Sequence, residues 1–128
     1  MRRAPLAMLL ALACYTGPSA ANFAPARGPR GVAADLRLRS GPRVKGELLV
    51  VEDSVLLVMR DERIVSIPMR AVRRGRFHQV DAVIQNGRLI YLAPEELRLL
   101  SRFPGGIQPE ARARLLAAHG QSEPDVVQ

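Results

Sequence analysis

Cys14 is the only cysteine in the chain. Its thiol is the one strong nucleophile available, since a thiolate attacks carbon and sulfur centres that a hydroxyl leaves alone. Other catalytic residue types are scattered. His78 and His119 stand alone, with no second histidine and no carboxylates at metal-ligand spacing. Ser54 falls in a turn without flanking elbow glycines, and Ser101 falls within or at the end of a helical pattern. Asp53, Asp61 and Glu62 are turn residues whose expected role is solvation. Gly105-Gly106 has no lysine and no strand-to-helix setting, so it is not a phosphate loop. No catalytic set, metal site or cofactor is expected. The densest charge is the run Arg70, Arg73, Arg74 and Arg76. Guanidinium groups hold phosphate and carboxylate oxygens in forked pairs. The run therefore suits contact with anionic lipid or an acidic polymer. A charged sheet edge also discourages edge-to-edge pairing, which is its simpler reading.

The elements that must position these residues begin with a targeting segment. Arg2 and Arg3 precede a short apolar run, Leu6 to Ala13, and small residues follow. That order is the layout of a secretory signal. The run is far below the ~20 residues that a membrane-spanning helix needs. Pro5 and Thr16-Gly17-Pro18 make a buried N-terminal helix a poor alternative. The stretch "LALAC", ending at Cys14, resembles a bacterial lipobox. The resemblance implies cleavage before Cys14, a diacylglyceryl group on its sulfur, and membrane attachment of the mature chain. Ala11 stands where that motif usually has leucine. Ser19-Ala20-Ala21 offers a second cleavage point before Asn22, which would give a secreted form. Tyr15 follows the cysteine in place of an inner-membrane retention aspartate. In a Gram-negative host the resemblance thus implies an outer-membrane lipoprotein facing the periplasm.

The chain has 128 residues and a formal charge of +7. That length holds one domain with one good core. Loss of residues 1–13 removes Arg2 and Arg3 and lowers the charge to +5. The body therefore stays basic without its leader, which favours anionic partners. Aromatic residues make up 4% and tryptophan is absent, so the core must be aliphatic. Residues 14–33 are rich in Pro, Gly, Ala and Ser, with no hydrophobic period, and are expected to be a flexible tether.

Residues 34–92 change to a period of two, the mark of strands. Leu36 and Leu38 alternate with Asp35, Arg37 and Arg39 before Ser40-Gly41-Pro42 turns the chain. Val44, Gly46, Leu48 and Val50 are expected on one face of a second strand, with Leu49 and Val51 on the other. Val55 to Met59 and Ile64 to Ile67 follow as further strands, and Pro68 ends the fourth. A helical turn over "IPMRAV" and a fifth strand, Arg74 to Val80, complete the expectation. The fold class is mainly β: a small five-stranded SH3/Sm-like barrel followed by two short C-terminal α-helices.

The spacing Leu36-x-Leu38-x-x-Gly41-x-x-Val44-x-Gly46-x-Leu48 resembles the first half of the Sm motif. Glu52 and Asp53 fall near its acidic position, and Arg74-Gly75 is similar to the Arg-Gly of its second half. The resemblance implies an RNA-binding small barrel. Two departures limit it to geometry. The region of the family's base-contacting asparagine holds Leu56 and apolar neighbours, and the aliphatic position before its arginine holds Arg73. No aromatic stands in that loop to stack a base. RNA binding is accordingly the alternative, and an envelope protein or anionic lipid the expected partner.

Asn86-Gly87 lies between apolar runs and signals a type I′ hairpin, or else a loop leading into a helix. Two helices are expected over 93–120. The first has Pro94 in its first turn and Leu97, Leu100 and Phe103 facing inward. The second starts at Pro109 and stops at Gly120, with Ala111, Leu115, Leu116 and Ala118 as its apolar set. They are expected to cap the open end of the barrel or to form a docking surface. Residues 121–128 are expected to fray.

Overall fold

The computed structural model of the protein describes residues 30–80 and 82–127. The signal segment, Cys14 and the tether up to Pro29 lie outside the described residues.

The described residues are mainly β, with 43% strand against 20% helix. Strands β1 (Ala33–Leu38), β2 (Arg43–Glu52), β3 (Val55–Arg60) and β4 (Arg63–Pro68) follow one another through tight turns. A 3-10 turn (Met69–Ala71) leads into β5 (Val72–Phe77). The hairpin alternative at Asn86-Gly87 is the one adopted, as β6 (Val83–Gln85) and β7 (Arg88–Ile90). Asn86 and Gly87 have φ of 50° and 79°, the left-handed pair a type I′ turn demands. Helices α1 (Pro94–Leu99) and α2 (Pro109–Ala118) precede a last short strand, β8 (Asp125–Val126).

The strand order is β7-β6-β5-β1-β2-β3-β4-β8 in one sheet. Eight strands therefore replace the expected five, and the sheet is not closed into a barrel. The physical cause is edge occupancy. A strand has two hydrogen-bonding edges. Those of β5 are taken by β1 and β6, and those of β4 by β3 and β8.

A bulge corrects the expected faces of β2. Leu48 pairs with Val58 and Val50 with Leu57, so Leu49 is an extra residue. The extra residue reverses the alternation beyond it. Val51 therefore joins Val44 and Leu48 in the main core, while Val50 joins Leu49 on the opposite face. Both faces are buried there, as the apolar run predicts. The main core gathers Leu36, Leu38, Val58, Ile67, Val72 and Ile84 with Leu97 and Leu100 from the α1 region. The second core places Leu116 of α2 on Leu49, Leu57 and Ile64. The two helices thus do not cap one end together: each seals a different core. Phe103 goes with the second core and not with Leu97 and Leu100.

Gly46 explains how β2 bends so closely against β3. A Cβ at Gly46 would lie 2.0 Å from the Met59 carbonyl oxygen. The last residues assigned to the tether also belong to the fold. Gly31 donates its N–H to Glu47 Oε2 at 2.7 Å, and Val32 donates to the Leu100 carbonyl at 3.0 Å.

Residues within the stretch expected to fray add a strand to the sheet. Gly120 has φ 70° and turns the chain back toward β4. β8 then runs parallel to β4, pairing Val65 with Asp125 and Ser66 with Val126. Arg63 Nε and Nη2 donate to the Asp125 carboxylate at 2.7 and 2.9 Å. That hydrogen bonding lowers the Asp125 pKa, with desolvation opposing it and the Arg63 charge adding to it. A carboxylate depressed on folding stabilises the fold above its unfolded pKa of about 3.9. The stabilisation is lost as pH falls through the lower folded value. Asp125→Asn is therefore expected to melt below the parent at neutral pH, with the two melting curves converging below about pH 3. A constant gap across the titration would mean that the charge plays no part.

Candidate anion-binding face

β1, the start of β2, β5 and the β6–β7 hairpin share one solvent-facing surface. Residues directly opposite in neighbouring strands project to the same side. One row across that surface runs Arg88, Gln85, Arg74, Arg37, Arg43, and the next runs Ile90, Val83, Arg76, Asp35, Lys45. A second bulge adds to the charge. Arg37 pairs with Arg74 and Leu38 with Val72, leaving Arg73 as the extra residue in β5. Arg73 and Arg74 are both exposed, side by side.

Arginines directly opposite one another destabilise a sheet. The row nonetheless sets Arg37 between Arg74 and Arg43. One acid relieves it. Arg43 donates from Nε and Nη2 to the Asp35 carboxylate at 2.8 and 2.6 Å. The Asp35 pKa is lowered first by that hydrogen bonding, against desolvation, and then by the charges of Arg43, Lys45 and Arg37. Among the described residues, no carboxylate forms an ion pair with Arg37, Lys45, Arg73, Arg74, Arg76 or Arg88. The acids gather elsewhere. Glu47 forms a forked pair with Arg102, and Glu52 accepts twice from Arg112 at 2.6 Å. Two of the domain's acids, Glu47 and Glu52, are thus engaged by arginines away from the cationic sheet face.

At one end of the cationic face the surface dips into an open groove of about 1180 Å³. Asp35, Lys45, Arg76, His78 and Tyr91 are among its walls. Tyr91 is 80% exposed and holds φ 72°, and Gln79 on the same groove holds φ 65°.

Of the residues singled out in the sequence, Arg73, Arg74 and Arg76 come together on this face. Arg70 lies on the 3-10 turn, exposed, with its carbonyl accepting from Arg39 Nε at 2.9 Å and its Cα against Gly87 of the β6–β7 turn. His119 is the C-terminal cap residue of α2, and the Ser101 hydroxyl donates to the Arg98 carbonyl at 2.6 Å. Leu56, at the position of the Sm asparagine, is fully buried in the main core. Gly75 lies within β5, where a Cβ would meet Leu36 Cδ2 at 2.7 Å. The Arg74-Gly75 match thus has a packing explanation. Arg37, Lys45, Arg88 and Tyr91 were not identified from the sequence. Arg37 was visible as a polar residue between leucines, but its place beside Arg74 depends on the β1–β5 register.

Among the described residues, no three His, Cys, Asp or Glu side chains cluster closely enough to hold a metal ion. No described helix is long and apolar enough to cross a membrane. No protein family, curated protein or solved structure matches this chain.

Proposed function

We propose that this protein is a lipid-anchored component of the bacterial cell envelope with a binding or structural role and no catalysis, and that its sheet lies with the cationic face against anionic lipid. The supporting observation is the row Arg74, Arg37, Arg43, in which cations stand directly opposite one another and only Arg43 has a carboxylate partner. A sheet that served only its own stability would alternate charge at those positions. An anionic surface converts the same rows into an attractive patch, worth about 1 kcal/mol per Lys or Arg near the lipid.

The anchor and the patch act together. Ala33, on the groove, is near the point where the expected tether joins the domain. A tether that joins there would bring the cationic face toward the membrane that holds Cys14. Membrane attachment through one lipid signal is strengthened by a basic patch as the second. In a Gram-negative host the protein is placed at the outer membrane, facing the periplasm, since Tyr15 follows the cysteine. The five central strands, in the order β5-β1-β2-β3-β4 with a 3-10 turn before β5, support reading the framework as a small SH3/Sm-like barrel opened by its added edge strands.

The Sm-like alternative, RNA capture, draws on the same cations. Against it stand the burial of Leu56 and the presence of one largely exposed aromatic, Tyr91, among the described residues.

Fractionation of cells expressing a C-terminally tagged chain beside Cys14→Ala tests the proposal. The expected result is a membrane-bound protein whose mature N-terminus has the mass of acylated Cys14, and release of the variant from the membrane. A soluble protein that retains Met1 would sink it and make RNA capture the next experiment.

A further inference from the structure

The cationic face alone would suit any anionic surface, but the groove at its end is more particular. It is where the row Val83, Arg76, Asp35, Lys45 meets the loop carrying His78. Asp35 is held by Arg43, so the cations left facing the groove are Lys45 and Arg76. Tyr91 lines the same groove and is the only aromatic among the described residues that is largely exposed. A non-glycine residue in the left-handed region is strained and persists where surrounding structure enforces it. Both Tyr91 and Gln79 are held there. The ring is thus exposed to water in a groove that two cations also line.

We propose that the groove seats the phosphate of an anionic phospholipid headgroup on Lys45 and Arg76, which flank the Asp35 carboxylate that Arg43 holds, while the Tyr91 ring lodges in the interfacial layer of the bilayer. The inference rests on the lipid-facing orientation proposed above and adds a specific contact to it. Tyrosine suits that depth because its ring is apolar and its hydroxyl remains hydrated. Val83, half-buried, gives the same groove an apolar wall.

The chain contains no tryptophan, so Tyr91→Trp introduces a single indole reporter. The full chain carrying Cys14→Ala and Tyr91→Trp is mixed with phosphatidylglycerol vesicles and, separately, with phosphatidylcholine vesicles. Sedimentation records binding, and emission records the environment of position 91. The expected result is binding to phosphatidylglycerol, a shift of emission to shorter wavelength, and quenching by brominated acyl chains. Phosphatidylcholine should give neither binding nor shift. Adding Arg76→Glu should abolish the shift while far-ultraviolet dichroism stays that of the parent. Vesicle binding with an unshifted, unquenched indole would overturn the headgroup site and leave the cationic face standing. Absence of binding to phosphatidylglycerol would overturn both. Quenching by single-stranded RNA, with no shift on vesicles, would assign the groove to nucleic acid and overturn the lipid reading.

Discussion

The double substitution Arg73→Glu, Arg74→Glu is expected to reduce affinity for phosphatidylglycerol vesicles by on the order of a thousandfold without lowering the melting temperature. The binding loss follows from charge. Two reversals change the charge of the face by four, and at about 1 kcal/mol per charge near an anionic surface the loss is about 4 kcal/mol. The unchanged fold follows from the bulge. Arg73 is the extra residue of β5 and has no direct cross-strand partner, and both side chains are exposed. A glutamate at position 74 would face Arg37, replacing a repulsive cross-strand pair with an attractive one worth roughly 0.2–1 kcal/mol. Binding and stability should therefore move in opposite directions. The measurement is co-sedimentation of the Cys14→Ala chain at low salt, repeated at rising salt, beside a thermal melt. Parent binding should fall as salt screens the face. Undiminished binding of the double variant would show that the contact lies elsewhere. A collapsed melting temperature would show that these arginines serve the fold.

That the effect concentrates on β1 and β5 could not be read from the chain alone. The alternation of Leu36 and Leu38 with Arg37, and the turn chemistry at Gly41 and Asn86-Gly87, are local signals, and the strands and hairpin they specify are present. Register is not local. Arg37 and Arg74 lie far apart in the chain and meet only because β1 pairs with both β2 and β5. Arg43, Lys45 and Arg88 join the rows by the same pairing of strands. The two bulges are equally hidden. Nothing in "GELLVVE" marks Leu49 as the extra residue, since every neighbour is as apolar as it is. Yet that one residue decides that Val50 faces α2 and Val51 the main core. Charge on the cationic face was legible as composition. Its assembly into rows was a property of the pairing.

The C-terminal end shows the same division at one residue. Gln121 begins a stretch whose polar composition suggests fraying, and its side chain is instead 7% exposed. Its Oε1 accepts the Ile64 N–H at 2.8 Å, and its Nε2 donates to the Ile64 carbonyl at 2.9 Å. The amide thus imitates a neighbouring strand on the free edge of β4, just before β8 begins to pair at Val65. Gln121→Ala removes both partners from a backbone position whose side chain, Ile64, is in the second core. Each buried backbone group left unpaired costs about 1–3 kcal/mol, and movement of the tail would let water reach part of the site. The expected destabilisation is about 3 kcal/mol, or roughly 15 °C in melting temperature for a domain of this size. Gln121→Glu is a sharper control. It keeps an acceptor for the Ile64 N–H but loses the donor and buries a charge, so it too is destabilising at neutral pH. Amide exchange at Ile64 should accelerate in both variants, and the vesicle affinity of each folded form should stay that of the parent, because the cationic face lies on other strands. A melting temperature within about 2 °C of the parent would mean that the tail frays as its composition suggests and that Gln121 holds nothing in place.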